Sequence, residues 1–420
     1  MKKVAFVGLI ATLLVSLIAC SDPFLATDIE APAISAKGSG AVHTISMSTS
    51  TPGAPIHYTT NGAQPCMITK LYESPFTIEV LSESLTINAI AIDNLLHSPV
   101  SSTTVRFVGP ALNLSGKVTT LVAASAASVS SSYVTTDGAK LYTPDGYQKI
   151  RVIDIATGTV SISTYTNENR TETVLSSGTG ITTDGTYYYI THYNLNVIDK
   201  ISISTGIATM IGNSSMRGGY KDGASADAKF RMPTAITTDG TNLYVADSSN
   251  AVIRKIEIAS GVVSTLAGNG AGGYIDGTGT GAAFSWPIGI ATDGSNLYIA
   301  DNGNHAIRSI VMNTGVVTTL ADYSTFGKMG GIGTAASSFW PVGITTDGSN
   351  LYITSEWGRE IYKFAIATGV GTILAGSQAD GHAGHADGTG AEASFQYPSD
   401  ITTDGDYLYV MDSNGIRKIQ

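Results

Sequence analysis

Gly289-Ile290-Ala291-Thr292-Asp293-Gly294-Ser295-Asn296-Leu297-Tyr298-Ile299-Ala300-Asp301, followed by Ala306-Ile307-Arg308-Ser309-Ile310 and then Thr314-Gly315-Val316-Val317-Thr318-Thr319-Leu320, is the stretch whose reading decides the fold. It breaks into four short runs rich in β-branched residues and tyrosine, the composition of strands a, b, c and d. Asp293-Gly294 and Thr314-Gly315 lie between runs, where glycine accepts the positive φ of a tight turn. The string Thr-Asp-Gly recurs with its aspartate at 137, 184, 239, 293, 347 and 404, so the unit is present six times; Asp239, Asp293 and Asp347 stand 54 residues apart. Both faces of each small sheet are apolar, which suits a sheet packed between two neighbours around an axis and not one facing water. The expectation is an all-β, six-bladed propeller over residues 111–420.

The two ends predict how the ring closes. Gly415-Ile416-Arg417-Lys418-Ile419-Gln420 matches strand c at Val252-Ile253-Arg254-Lys255-Ile256, so the last blade lacks strand d. Val118-Thr119-Thr120-Leu121 matches strand d at Val317-Thr318-Thr319-Leu320 and has no blade before it. Residues 118–122 are therefore expected to complete the last blade and remove a free sheet edge. The pattern Leu-Tyr-Val/Ile-Ala-Asp-x-x-Asn-x-x-Ile-Arg, complete at Leu243 to Arg254 and at Leu297 to Arg308, resembles the NHL repeat. The resemblance is strong in the last four units and weak in the first two.

Upstream, Lys2 and Lys3 precede an apolar run from Val4 to Ala19 that ends at Leu17-Ile18-Ala19-Cys20. A charged start, a short apolar stretch and small residues before the cut read as a secretory signal. With cysteine at the cut the segment resembles a bacterial lipobox, which implies cleavage after residue 19 and a lipid on Cys20; Ser21 in that resemblance implies the outer membrane. Residues 20–28 then form a tether. With Cys20 lipidated, Cys66 has no disulfide partner in the chain.

Residues 29–108 carry strand-like runs without a long repeat and read as a small antiparallel sandwich. Thr51-Pro52-Gly53-Ala54-Pro55-Ile56-His57-Tyr58-Thr59-Thr60-Asn61-Gly62, with Tyr72 to Ile78 and Ile90-Ala91-Ile92, resembles the Ig-like domain at the C-terminal end of chitobiases and hexosaminidases. The resemblance implies a fold and a spacer, since that domain holds no catalytic carboxylates.

The net charge of -10 offers no basic face, which argues against nucleic acid and leaves the lipid as the membrane link. Strand alternation puts the b–c loops and the d-to-a connections on one face. The residues before the prolines that open successive inner strands are Met232, Trp286, Trp340 and Tyr397, and Trp357 lies in a b–c loop, so all three tryptophans map to that face. They are the candidates for gripping a protein or glycan, together with Asp247, Asp301 and Asn304 of the repeat. Phe230, Phe284 and Phe395 are expected to plug the gaps between blades, and Asp222, Asp276 and Asp387 to open Asp-Gly turns and not to bind calcium.

The reading is a non-catalytic, monomeric binding or scaffold protein of the envelope, without cofactor. The alternative is a metal-dependent lyase or lactonase-like hydrolase holding calcium or zinc at the mouth, as in six-bladed relatives of these repeats; His192, His305 and His385 are its candidate ligands. Against it, the inner strands read as small residues without acid or imidazole. No GxSxG elbow and no phosphate loop is present.

Overall fold

A computed structural model describes strand segments of the first part of the chain (33–39, 42–48, 56–59, 70–72, 76–79, 84–93, 96–97 and 101–106). From residue 112 onward it describes everything except 124–132, 147, 168–178, 214–217, 323–338, 377–383 and 414. Cys20 and Cys66 lie outside the described residues. The chain divides into two compact units, Met1–Phe107 and Val108–Gln420.

In the first unit, Ala33–Ser39, Val42–Ser48 and Phe76–Glu79 form one antiparallel sheet. Ile56–Thr59, Lys70–Leu71, Ser84–Asp93, Leu96–His97 and Ser101–Arg106 form a second, centred on the long strand Ser84–Asp93. Met47, Ile56 and Tyr58 are buried.

The second unit is a six-bladed propeller. Blade 1 is Thr135–Thr136, Lys140–Pro144, Lys149–Asp154 and Val160–Thr164; blade 2 is Ile181–Thr183, Tyr187–His192, Val197–Ser202 and Ala208–Ile211. Blade 3 is Pro233–Thr238, Asn242–Asp247, Val252–Glu257 and Val263–Ala267; blade 4 is Pro287–Thr292, Asn296–Asp301, Ala306–Val311 and Val316–Ala321. Blade 5 is Pro341–Thr346, Asn350–Ser355, Glu360–Ala365 and Val370–Ala375. Blade 6 combines Asp400–Thr403, Leu408–Asp412 and Gly415–Ile419 with Lys117–Ala123, which pairs Thr119 with Lys418 and Val118 with Ile419. First and last parts of the propeller sequence therefore share one sheet.

The repeated residues are used up by the turns. In every blade the Thr-Asp-Gly aspartate accepts the hydroxyl of the tyrosine in strand b, from Asp137–Tyr142 at 2.6 Å to Asp404–Tyr409 at 2.6 Å, and its other oxygen caps backbone N–H groups beyond the turn. The glycine that follows has positive φ each time, for example +75° at Gly294. Burial pushes the titration of the Tyr142, Tyr189, Tyr298, Tyr352 and Tyr409 phenols upward, and the neighbouring carboxylate adds to this.

Between blades the recurrent phenylalanines are plugs, as the sequence suggested. Phe230 packs among residues of blades 2 and 3, Phe284 among blades 3 and 4, Phe339 among blades 4 and 5, and Phe395 among blades 5 and 6. The d-to-a connections also cover outer edges: Gly277–Thr278 adds a fifth strand to blade 4 and Gly388–Thr389 to blade 6, which shields the ladder from other chains.

At the centre the inner strands approach closely. Four residues before each Thr-Asp-Gly aspartate stand Tyr133, Gly180, Ala235, Gly289, Gly343 and Asp400. A Cβ at Gly289 would lie 2.1 Å from the Val342 carbonyl oxygen and one at Gly180 2.3 Å from that of Thr234. Glycine is required there because the neighbouring blade occupies the space a methyl group would take.

Candidate functional site

The face carrying the b–c loops is built by the register of the inner strands. Pro233 pairs with Asp247, Pro287 with Asp301 and Pro341 with Ser355, so the residue before each proline sits beside the b–c turn of its own blade. Met232, Trp286, Trp340 and Tyr397 thus share one face, and Trp357 joins them from the turn after Ser355.

Trp286, Trp357 and Tyr397 are exposed, Trp357 most of all at 63%; Met232 and Trp340 are half-buried. Met232 and Trp286 both have φ of +53°, a left-handed conformation that costs a non-glycine residue roughly 1–2 kcal/mol. At Met232 a hydrogen bond from its N–H to Asn196 Oδ1, 2.8 Å, holds that geometry from the neighbouring blade. Trp340 donates its backbone N–H to Ser355 Oγ, and the His305 ring of blade 4 meets its indole edge-on at 4.2 Å between centroids.

Asp247 and Asp301 do not belong to this face. Both are fully buried, and each pairs at 2.8 Å with the fully buried arginine of strand c, Arg254 or Arg308. The second guanidinium nitrogen binds Asp222 or Asp276 at 2.7 Å, and those carboxylates also accept the backbone N–H and hydroxyl of Thr265 or Thr319 in strand d. Burial pushes the Asp247 carboxyl up to about 6, and Arg254 and its hydrogen bonds pull against that rise. Asn304 is likewise absorbed, donating to Asp301 and to the Gly273 carbonyl. The Asp-x-x-Asn…Arg constellation is a clamp joining strands b, c and d to the preceding connection. Asp222, Asp276 and Asp387 are therefore clamp residues, Asp387 serving Arg417 at 2.8 Å, and the expected Asp-Gly turn is not formed after Asp276 or Asp387, where Gly277 and Gly388 begin short strands.

The three candidate histidines are not brought together. His192 is buried, its Nε2 2.8 Å from Asp199, and it occupies the register position of Asp247 while Asp199 occupies that of Arg254. Blade 2 carries the clamp with its residues exchanged, the carboxylate on strand c and its partner on strand b. His305 Nδ1 lies 3.1 Å from the Phe339 carbonyl, and His385 is exposed in the connection to blade 6. Among the described residues no group of three His, Cys, Asp or Glu side chains is arranged to hold a metal ion.

The inner strands are not free of acid. Asp400 opens the inner strand of blade 6; its Oδ2 accepts the Val134 N–H of blade 1 at 2.8 Å, and burial pushes its carboxyl up to about 7. Tyr133, also buried, crosses from blade 1 to the opposite blade, where its hydroxyl donates to the Ile288 carbonyl at 3.2 Å. Burial raises its titration, and the charges of Asp400 and Glu356 add to that rise. Glu356, between Ser355 and Trp357, is half-buried, and burial raises its carboxyl too. Reading four residues back from each Thr-Asp-Gly would have found Tyr133 and Asp400; Glu356 has no repeat equivalent to mark it.

The chain is similar to NHL-repeat proteins. It is 26% identical over 236 residues to NHL repeat-containing protein 2 of Homo sapiens, a match covering 46% of this chain and 31% of that protein. The chain therefore spans under a third of that relative. Among solved structures, a protein of unknown function from Bacteroides thetaiotaomicron superposes with a TM-score of 0.51 at 17% identity, covering 94% of this chain and 99% of that one. An auxiliary nutrient binding protein from Bacteroides ovatus gives 0.50 at 15%, covering 95% and 99%. Residues 45–105 match a family model described as Fn3 associated, within the segment whose sequence suggested an Ig-like domain. Among the described residues no helix is long and apolar enough to cross a membrane.

Proposed function

We propose that the protein is a non-catalytic, monomeric binding protein of the bacterial envelope that takes a glycan on the aromatic face of its propeller. Carrying this reading is the placement of Trp286, Trp340, Trp357 and Tyr397 at the entries and turns of blades 4, 5 and 6, with Trp286 held exposed in a conformation that costs energy. Flat, exposed rings on successive blades suit the faces of sugar rings. A propeller of similar fold described as an auxiliary nutrient binding protein supports a binding role.

In this reading residues 1–19 are the signal, Cys20 carries the lipid at the outer membrane, residues 20–28 are a tether, residues 29–108 are an Ig-like spacer and residues 111–420 are the binding ring. Trp286→Ala with Trp340→Ala should abolish glycan binding on an array and in calorimetry while leaving the melting temperature within a few degrees of the parent. Equal binding by the double variant, or capture of peptides in place of glycans by the parent, would overturn the reading.

A further inference from the structure

Blade 5 departs from the clamp. Where blades 3, 4 and 6 have aspartate in strand b and arginine in strand c, it has Ser355 and Tyr362, and the Tyr362 hydroxyl turns instead to Glu360 at 2.5 Å. No guanidinium therefore rises from strand c; Arg359 stands in the b–c turn itself, at its far end, and no hydrogen bond or ion pair joins it or any other described residue to the Glu356 carboxylate.

Its surroundings are specific. The Glu356 backbone N–H donates to the Trp340 carbonyl at 3.3 Å, and the next residue is the exposed Trp357. By contrast Asp199, Asp247 and Asp301 are each bonded to an in-chain donor. A half-buried carboxylate without a partner is costly, and indoles beside a carboxylate are the means by which organic cations are held. A metal ion would need several oxygen ligands converging, and among the described residues no such group is found.

We infer that the aromatic face selects a glycan bearing free ammonium groups, an amino sugar, with Glu356 as the residue that pairs the charge and Trp340 and Trp357 flanking it. The inference rests on the glycan-binding reading of that face. Calorimetry with glucosamine tetramer and its N-acetylated, neutral counterpart, below the pKa of the amine, tests it on the full chain. The parent should prefer the amine form by about tenfold, the size of one charge-assisted contact, and lose that preference in high salt. Glu356→Gln should bind both oligomers alike at an unchanged melting temperature.

Equal affinity of the parent for both oligomers, or a preference that survives in Glu356→Gln, overturns the amine selection and leaves the glycan reading standing. Binding of a tetralysine peptide but of neither oligomer overturns the glycan reading and with it the amino-sugar assignment.

Discussion

Replacing Asp400 by asparagine should remove a pH dependence from the stability of the ring. Burial pushes this carboxyl from its ordinary 3.8 up to about 7, against the donations of the Val134 and Ile401 backbone N–H groups. Between those two values the folded protein keeps a proton that the unfolded chain has released. The sign follows from linkage: stability is complete below about pH 4, falls as pH rises to about 7, and is level beyond. At 1.36 kcal/mol per pH unit the gap corresponds to about 4 kcal/mol. The amide of Asp400→Asn would keep an oxygen for the Val134 N–H and would never ionise. Urea unfolding of parent and variant across about pH 4 to pH 8 isolates this group, because all other titrations cancel in the difference. The variant's advantage should grow with pH towards about 4 kcal/mol. Parallel stability curves for the two proteins would show that Asp400 is not a buried carboxyl under strain, and would refute the axial geometry argued from it.

Two further changes test the architecture. Arg254→Met leaves Asp247 buried and unpaired and should cost about 3–5 kcal/mol, most of it recovered when Asp247→Leu is added, as a double-mutant cycle in urea would measure. Deleting Leu112 to Val122 strips blade 6 of its outer strand, and the bared edge of Gly415–Ile419 should drive association; a deletion variant that sediments as a monomer and melts with the parent would contradict the closure seen in the pairing of Thr119 with Lys418.

The propeller was legible because its determinants are local and repeated. Thr-Asp-Gly and the strand-b tyrosine meet five residues apart within one hairpin, so each copy announces itself whatever its neighbours do. The closing strand was readable for the same reason, since Val118 to Leu121 keeps the pattern of a strand d. Asp247 and Asp301 misled because polar residues at fixed spacing look the same whether they face a ligand or each other. What separates the cases is that Asp301 and Arg308 stand on adjacent strands offset by two residues, diagonal neighbours on one side of the sheet. The axis was least legible. Tyr133 and Asp400 belong to the two units that meet at the seam, and they replace a glycine or alanine that the other four blades keep, so a consensus reading passes over them. Glu356 carries no pattern at all; its meaning comes only from the missing arginine of blade 5.

The seam has a consequence in time as well as in space. Ser115 Oγ donates to the carbonyl of Gln420 at 2.8 Å across a separation of 305 residues, and the strand beside it has no sheet to join until strand c of blade 6 has been made. Blades 1 to 5 can each form from contiguous chain as synthesis proceeds, but the ring cannot shut before Gly415–Ile419 emerges. Completion is thus a late, long-range event that should be slow compared with the hairpins before it. A chain cut short by even half a dozen residues would be left with blades formed and no latch.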